Sequence, residues 1–454
     1  MTAAMRSDPL SAIDHVRAAI GDVPCMDDPV TVRRKSRDYF WYSPVLNERL
    51  AGKVAELVVA PRDEADVLRV AAACARHGVP ITPRGGGTGN YGQAVPLAGG
   101  VVLDMTSMTR IHAVSPGRVS VEPGAKLVDV DAQIRAEGWE LRMHPSTKRT
   151  ATVGGFVAGG SGGVGSVTYG GLREPGNVLG ARVVTMEPEP RVITLDAEAA
   201  QKINRAYGTT GLITRLDMPL APAWEWVDVA VAFDDFMKAV RVGREIAMAD
   251  GVVKKLVTVF QAPLPTYFGP LAKLTPPGGS LMICMIAAPF LACFHDLLAG
   301  RGAVVHQEPF DESPGHTPIY EYAWNHTTLQ VLKVDRGVTY LQCLYPADSV
   351  VESIELMTKT FADEQMQHIE FIRFAGKLTA SSIPVLRYRS AERLDEIIAF
   401  HERNGVMVAN PHVYTLEDGS RHKRADADQL GFKQEVDPAG LLNPGKMRSF
   451  QPRA

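Results

Sequence analysis

Seven glycines fall within residues 85–100 and nine within residues 154–171 of this 454-residue chain, and the C-terminal half holds no comparable cluster. Glycine adopts φ > 0 cheaply and lets a backbone N–H approach a ligand with no Cβ in the way. Consecutive amides in such turns make concave anion sites. Each cluster contains the pattern G-x-G-x-x-G, at Gly87–Gly92 and at Gly160–Gly165. A dinucleotide-binding loop of that kind needs a strand before it and a helix opening directly after it. The first loop runs instead into Gln93-Ala94-Val95-Pro96-Leu97-Ala98-Gly99-Gly100, and the second into Ser166-Val167-Thr168-Tyr169-Gly170-Gly171. Neither run is an amphipathic helix, so the spacing argues against a Rossmann site. Tight surface turns would account for one such loop. Two dense clusters in one half of a chain point to a diphosphate held from two sides.

The residues around the first cluster read as strand 55–59, helix 64–77 and strand 80–83. Val67, Val70, Ala71 and Cys74 give the helix its three- and four-residue apolar spacing, and Gly78 follows as its terminator. Short strands are expected at 101–104 and 118–122, a helix at 127–137, and a hairpin from 181–186 and 191–195. After Pro222 the texture changes. Strand–helix–strand order recurs at 226–232, 234–248 and 252–260, at 280–287, 291–298 and 303–306, and at 338–345, 347–363 and 368–374. That predicts a separate sheet with helices on one face. Residues 263–279 hold five prolines and read as a loop. A boundary falls near residue 222.

Composition narrows the class. Forty-eight Lys and Arg against 51 Asp and Glu leave a net charge of -3, which excludes a whole-chain electrostatic footprint for nucleic acid. Cys25, Cys74, Cys284, Cys293 and Cys343 form no CxxC pair, which argues against a disulfide framework or a structural zinc site. Met1–Pro9 has no apolar core of signal-peptide length. The longest apolar run, Leu281–Phe294, contains Pro289 and falls short of the ~20 residues of a membrane span, so it reads as a strand leading into a helix. The expectation is a cytoplasmic, reduced protein with no transmembrane segment.

Pro83-Arg84-Gly85-Gly86-Gly87-Thr88-Gly89 followed by Val102-Leu103-Asp104 resembles the first FAD-binding segment of the vanillyl-alcohol oxidase / p-cresol methylhydroxylase family. Thr152-Val153-Gly154-Gly155, Gly162-Gly163 and Tyr169-Gly170 resemble its second segment. Gly208-Thr209-Thr210-Gly211-Leu212-Ile213-Thr214 is similar to the segment that closes the FAD domain, and Asp437-Pro438 with Leu442-Asn443-Pro444-Gly445-Lys446 to the C-terminal ending. The resemblance implies an α+β chain: a two-part FAD-binding domain at 1–222, an α/β substrate cap domain at 223–425, and a segment at 426–454 that returns to the FAD domain. By the same resemblance Gly85, Gly86, Gly87, Thr88 and Gly89 would hold the FAD pyrophosphate. Pro145, Ser146, Thr152, Gly154, Gly155 and Ile213 would line the rest of the cofactor.

The departures from the family are informative. Some members attach FAD through a His in the first loop, and Thr88 at that position cannot form a histidyl bond. Gly160 stands where the glycolate and D-lactate branch often has Asn. The metal-binding motif of that branch, H-x-G-D-G-N-x-H, does not occur in this chain.

A flavin accepts the hydride, and the protein supplies placement and a base. The base should titrate near working pH, which favours His or a tuned Tyr. The candidates are His326 and Tyr322 in Tyr320–His326, and His412 and Tyr414 in Asn410–Tyr414. Among them His412 is favoured, since Asn410 and Pro411 describe a rigid polar loop. Glu370 and Arg373 read as ordinary strand residues. His412, Glu417, Asp418 and His422 match no standard metal spacing. The expected activity is FAD-dependent oxidation of an alcohol or hydroxy acid, with a flavin-carrying electron-transfer subunit as the alternative. The expected partners are a small-molecule substrate and either a second copy or a redox protein.

Overall fold

The computed structural model of the chain describes residues 11–160, 162–417 and 425–452. Its strands form a four-stranded, a six-stranded and an eight-stranded sheet, with a small three-stranded one beside them. Mixed helix and sheet of this kind is the α+β class expected from the sequence.

The four-stranded sheet carries the first glycine cluster. Strands Leu57–Val59 and Ile81–Arg84 both run parallel to Val101–Asp104, which lies between them. The crossover is helix Glu64–Arg76. Its N-cap is Asp63, whose carboxylate accepts the Asp66 N–H at 2.9 Å, and its buried stripe includes Val67, Val70, Ala71 and Cys74. Each of the two valines stabilises the fold by roughly 1.5–3 kcal/mol on full burial. Residues 85–89 leave the sheet at the carboxyl end of Ile81–Arg84, where open parallel sheets gather ligands.

The C-terminal segment locks onto this same strand. The Ile81 N–H donates to Leu441 O at 2.8 Å, and the Asn443 N–H donates to Ile81 O at 2.7 Å. The buried Asn443 amide donates to Gln93 O at 2.8 Å and Tyr207 O at 2.7 Å, and Lys446 Nζ donates to Gly92 O at 2.5 Å. One short segment therefore satisfies carbonyls from two loops that are far apart in sequence.

The six-stranded sheet is antiparallel around Leu212–Pro222, which pairs with Arg118–Val121, Trp139–Leu141 and Gly180–Val184. The eight-stranded sheet is also antiparallel, with Lys254–Phe260 beside His368–Phe374 near its middle. Helices Phe236–Met248, Leu291–Leu298, Val350–Thr360 and Ala391–Arg403 contribute to the apolar core on one face. The other face packs on Phe260, Phe268, Tyr320 and Tyr340.

Several expected elements are corrected. The second glycine cluster opens as helix Val153–Gly159 rather than as a loop, with Thr152 as its N-cap. Glycine is needed there for closeness: a Cβ on Gly154 would lie 2.5 Å from Pro123 Cβ. The single strand expected at 338–345 is two, Val338–Tyr340 and Cys343–Leu344, which belong to different sheets. Residues 263–279 contain two 3-10 turns, Leu264–Tyr267 and Gly269–Lys273. Helix Asn325–Leu332 was not expected at all. Among the described residues, no helix is long and apolar enough to cross a membrane.

Candidate functional site

The first glycine loop presses against the start of the second cluster. A Cβ on Gly86 would sit 2.2 Å from Thr150 O, and one on Gly85 would sit 2.1 Å from Thr152 Oγ1. Within residues 85–89 only Gly87 has a positive φ, 66°. Gly85 is thus required by the approach of the Thr152 side chain and Gly86 by that of the Thr150 backbone, rather than by a left-handed turn. The N–H groups of residues 85–89 have no acceptor in the protein among the described residues. Five successive amides at a strand's carboxyl end with no internal acceptor suit an anion.

These residues line a cavity of about 610 Å³, within the range that holds cofactors. Gly85, Gly86, Gly87, Thr88, Gly89, Pro145, Ser146, Thr152, Gly154, Gly155 and Ile213 all line it. Arg84 lines it too, with its Nε buried and unpartnered. Burial lowers the pKa of that guanidinium. Thr147 Oγ1 donates to Thr88 Oγ1 at 3.4 Å, so the two walls also meet through side chains.

The opposite wall comes from the eight-stranded sheet and helix Asn325–Leu332, including Leu344, Ile372, Ile383, Trp324, Asn325 and His326. His326 Nδ1 lies 3.2 Å from Glu321 O. A carbonyl can only accept, so Nδ1 carries the proton and Nε2 the lone pair. Burial pushes the imidazole pKa down to about 4, which keeps the ring neutral at physiological pH. Trp324 Nε1 and Asn325 Oδ1 are buried with no hydrogen-bond partner among the described residues.

A third part of the lining was not foreseen. Arg205 and Tyr207 line the cavity with φ of 56° and 52°, a conformation that non-glycine residues rarely adopt. Arg205 makes no ion pair with a carboxylate among the described residues. The Tyr207 hydroxyl is buried, with the Arg205 side chain as its polar neighbour. Burial raises its pKa, and the Arg205 charge beside it partly offsets the rise. A lone arginine between Asn204 and Ala206 carries no motif, and nothing in the sequence marks its backbone as strained. Tyr42, Tyr91 and Gln342 complete this polar end.

The other three proton-transfer candidates do not line this cavity. His412 is 3 % exposed and is not among the residues that line the cavity. Its Nε2 donates to Tyr340 O at 2.9 Å, and its Nδ1 pairs with Ser43 Oγ at 2.7 Å. Both ring nitrogens are occupied in tying chain segments together, because the Asn410–Pro411 turn aims the ring inward. The Tyr322 ring packs 5.5 Å from Phe268 in the core. The Tyr414 ring carries Lys446 Nζ at 5.2 Å and packs against the cluster of Leu46 and Leu50. Neither tyrosine lines the cavity. Asp418 and His422, weighed with His412 as metal ligands, lie outside the described residues.

Comparison with known proteins agrees with this geometry. Residues 55–195 match a family model described as an FAD binding domain. The glycolate oxidase subunit GlcD of Bacillus subtilis is 25 % identical over 422 residues, 86 % of this chain and 88 % of that protein. The mitochondrial D-lactate dehydrogenase [cytochrome] of Arabidopsis thaliana is 30 % identical over 207 residues, 43 % of this chain but only 35 % of that protein. A solved alkyldihydroxyacetonephosphate synthase superposes with a TM-score of 0.71 at 16 % identity, over 97 % of this chain and 86 % of that one, which shows a shared fold. The amide cradle and the matched domain together make residues 55–195 an FAD binding domain, in a chain that is similar over most of its length to a glycolate oxidase subunit.

Proposed function

We propose that the protein oxidises a 2-hydroxy acid at its hydroxyl-bearing carbon. The reading rests on one observation above the others: a neutral His326 and an Arg205 without a carboxylate partner line the same cavity as the amide cradle. FAD, when bound, supplies the ring nitrogen that takes the hydride. The amides of residues 85–89 hold its pyrophosphate, and Pro145, Ser146, Thr152, Gly154, Gly155 and Ile213 enclose the rest. Arg205 pairs with the substrate carboxylate, a charge-assisted bond that fixes the hydroxyl carbon. His326 Nε2 accepts the hydroxyl proton. Loss of one hydride and one proton leaves the 2-oxo acid, so electrons and atoms balance. The names of the relatives, which specify glycolate and D-lactate, support this substrate class.

On this reading residues 1–222 with 426–454 form the flavin-binding unit, and 223–425 form the cap. The B. subtilis relative is named as a subunit, which favours an assembly with a second protein that takes the electrons. The same observation favours the second reading, a flavin subunit that only relays electrons.

Anaerobic mixing of the flavin-loaded protein with 2-hydroxy acids, sugars, lactones and phenolic alcohols separates the two. Bleaching by a 2-hydroxy acid is the expected result. Bleaching by none of them overturns the proposal in favour of the relay.

A further inference from the structure

We propose that Glu370 is a positioning residue, which holds the Trp324–His326 turn against the flavin-side wall; the inference rests on His326 being the base. Glu370 lies on strand His368–Phe374 and is 1 % exposed. Three donors from three separate elements converge on its carboxylate. The Trp324 N–H donates to Oε1 at 2.7 Å, His368 Nε2 donates to Oε1 at 2.8 Å, and Thr258 Oγ1 donates to Oε2 at 2.5 Å. No Lys or Arg is within ion-pair distance of it among the described residues. His368 is its one ionisable partner, and the Nδ1 of that ring is buried without a partner. A carboxylate is costly to bury in such a place, and an apolar side chain of the same volume would pack at lower cost.

What the carboxylate holds is unusual. Trp324 is the N-cap of helix Asn325–Leu332, with φ 53° and ψ -142° and no side-chain cap. A bulky residue persists in that conformation only when its surroundings over-determine it. Helix starts are ordinarily satisfied by a Ser, Thr, Asp or Asn at the cap. Here the cap amide is taken by a carboxylate 46 residues away. The Trp324 indole reaches the other wall, since a Cβ on Gly162 would lie 2.8 Å from Trp324 Cη2. Asn325 and His326 follow directly, and the Thr327 hydroxyl fixes the turn behind them by donating to Tyr322 O at 2.6 Å. Glu370 thus acts on the cavity through the backbone of Trp324 without lining it.

The test uses the flavin-loaded protein and two readouts. In Glu370→Gln, anaerobic flavin reduction at saturating substrate should slow at least about 10-fold while FAD content holds, since small misplacement of a reacting group is costly. The indole N–H resonance of Trp324, assigned by its loss in Trp324→Phe, should shift while those of the other tryptophans stay. In a Trp324→Gly background, Glu370→Gln should cost only about 2-fold, because glycine takes a positive φ unaided. An unmoved Trp324 resonance, or an equal cost in both backgrounds, overturns the proposal. If Glu370→Gln does not fold, Thr258→Val must move the same resonance, and no movement is equally fatal. A shifted resonance beside normal reduction in His326→Gln would sink the base assignment and leave the positioning of the turn standing.

Discussion

The two walls of the cavity are built from different materials. The wall proposed to hold the flavin is backbone: successive amides of residues 85–89, pressed so close to Thr150 and Thr152 that no Cβ fits at Gly85 or Gly86. The facing wall is side chain: Trp324, Asn325 and His326, presented by a strained turn on a packed antiparallel sheet. A backbone wall is specified by which residues can be there at all. A side-chain wall is specified by what lies behind it. The first tolerates almost no substitution of its glycines. The second should tolerate many substitutions in binding the cofactor and few in chemistry.

The largest effect falls on the backbone wall. Gly86→Val should yield protein without flavin, read as the ratio of flavin to protein absorbance after purification. The added side chain meets Thr150 O, a backbone atom that cannot move without opening the loop. Full FAD occupancy in that variant would break the comparison at its root. Arg205→Met should leave FAD content intact and raise KM for a 2-hydroxy acid at least about tenfold. A charge-assisted hydrogen bond contributes roughly 1.5–3 kcal/mol, and 1.4 kcal/mol is tenfold. An unchanged KM would assign the cation to another role.

Smaller effects probe what ties the walls together. Asn443→Ala removes two donors from Gln93 O and Tyr207 O and should lower stability by about 1–3 kcal/mol in a denaturant titration. Its effect on the reduction rate should be minor. The smallest change is expected in His412→Gln, whose ring lies behind the cavity wall. Its reduction rate should stay within about threefold of wild type, far from the loss expected of a general base, while its melting temperature falls. A selective fall in rate would return His412 to the site.

The same contrast explains what the sequence disclosed. Glycine requirements are local, so both clusters were legible from spacing alone. So were helix 64–76, with its cap and apolar stripe, and the strand running from Ser280 to Ala287 into helix 291–298. Helix Asn325–Leu332 was not legible, because its cap is a tryptophan satisfied by a distant carboxylate. Glu370 looked like any strand residue, since two of its three donors, the Trp324 N–H and the Thr258 hydroxyl, come from elsewhere in the fold. His412 misled for the converse reason. Its polar loop is real, but Ser43 and Tyr340 take both ring nitrogens, and neither neighbour is visible from residues 410–414.

The division of labour between the walls is tested most directly by the rate of anaerobic flavin reduction in His326→Gln at full FAD occupancy. The account predicts FAD content equal to wild type and a reduction rate lower by about 100-fold or more, the scale of general-base loss. In the wild type, burial sets the imidazole pKa near about 4. The proton that removes the Nε2 lone pair is therefore gained only near that pH, and the rate should hold level on acidification until then. A near-normal rate in His326→Gln would contradict the account, because the facing wall would then supply no base.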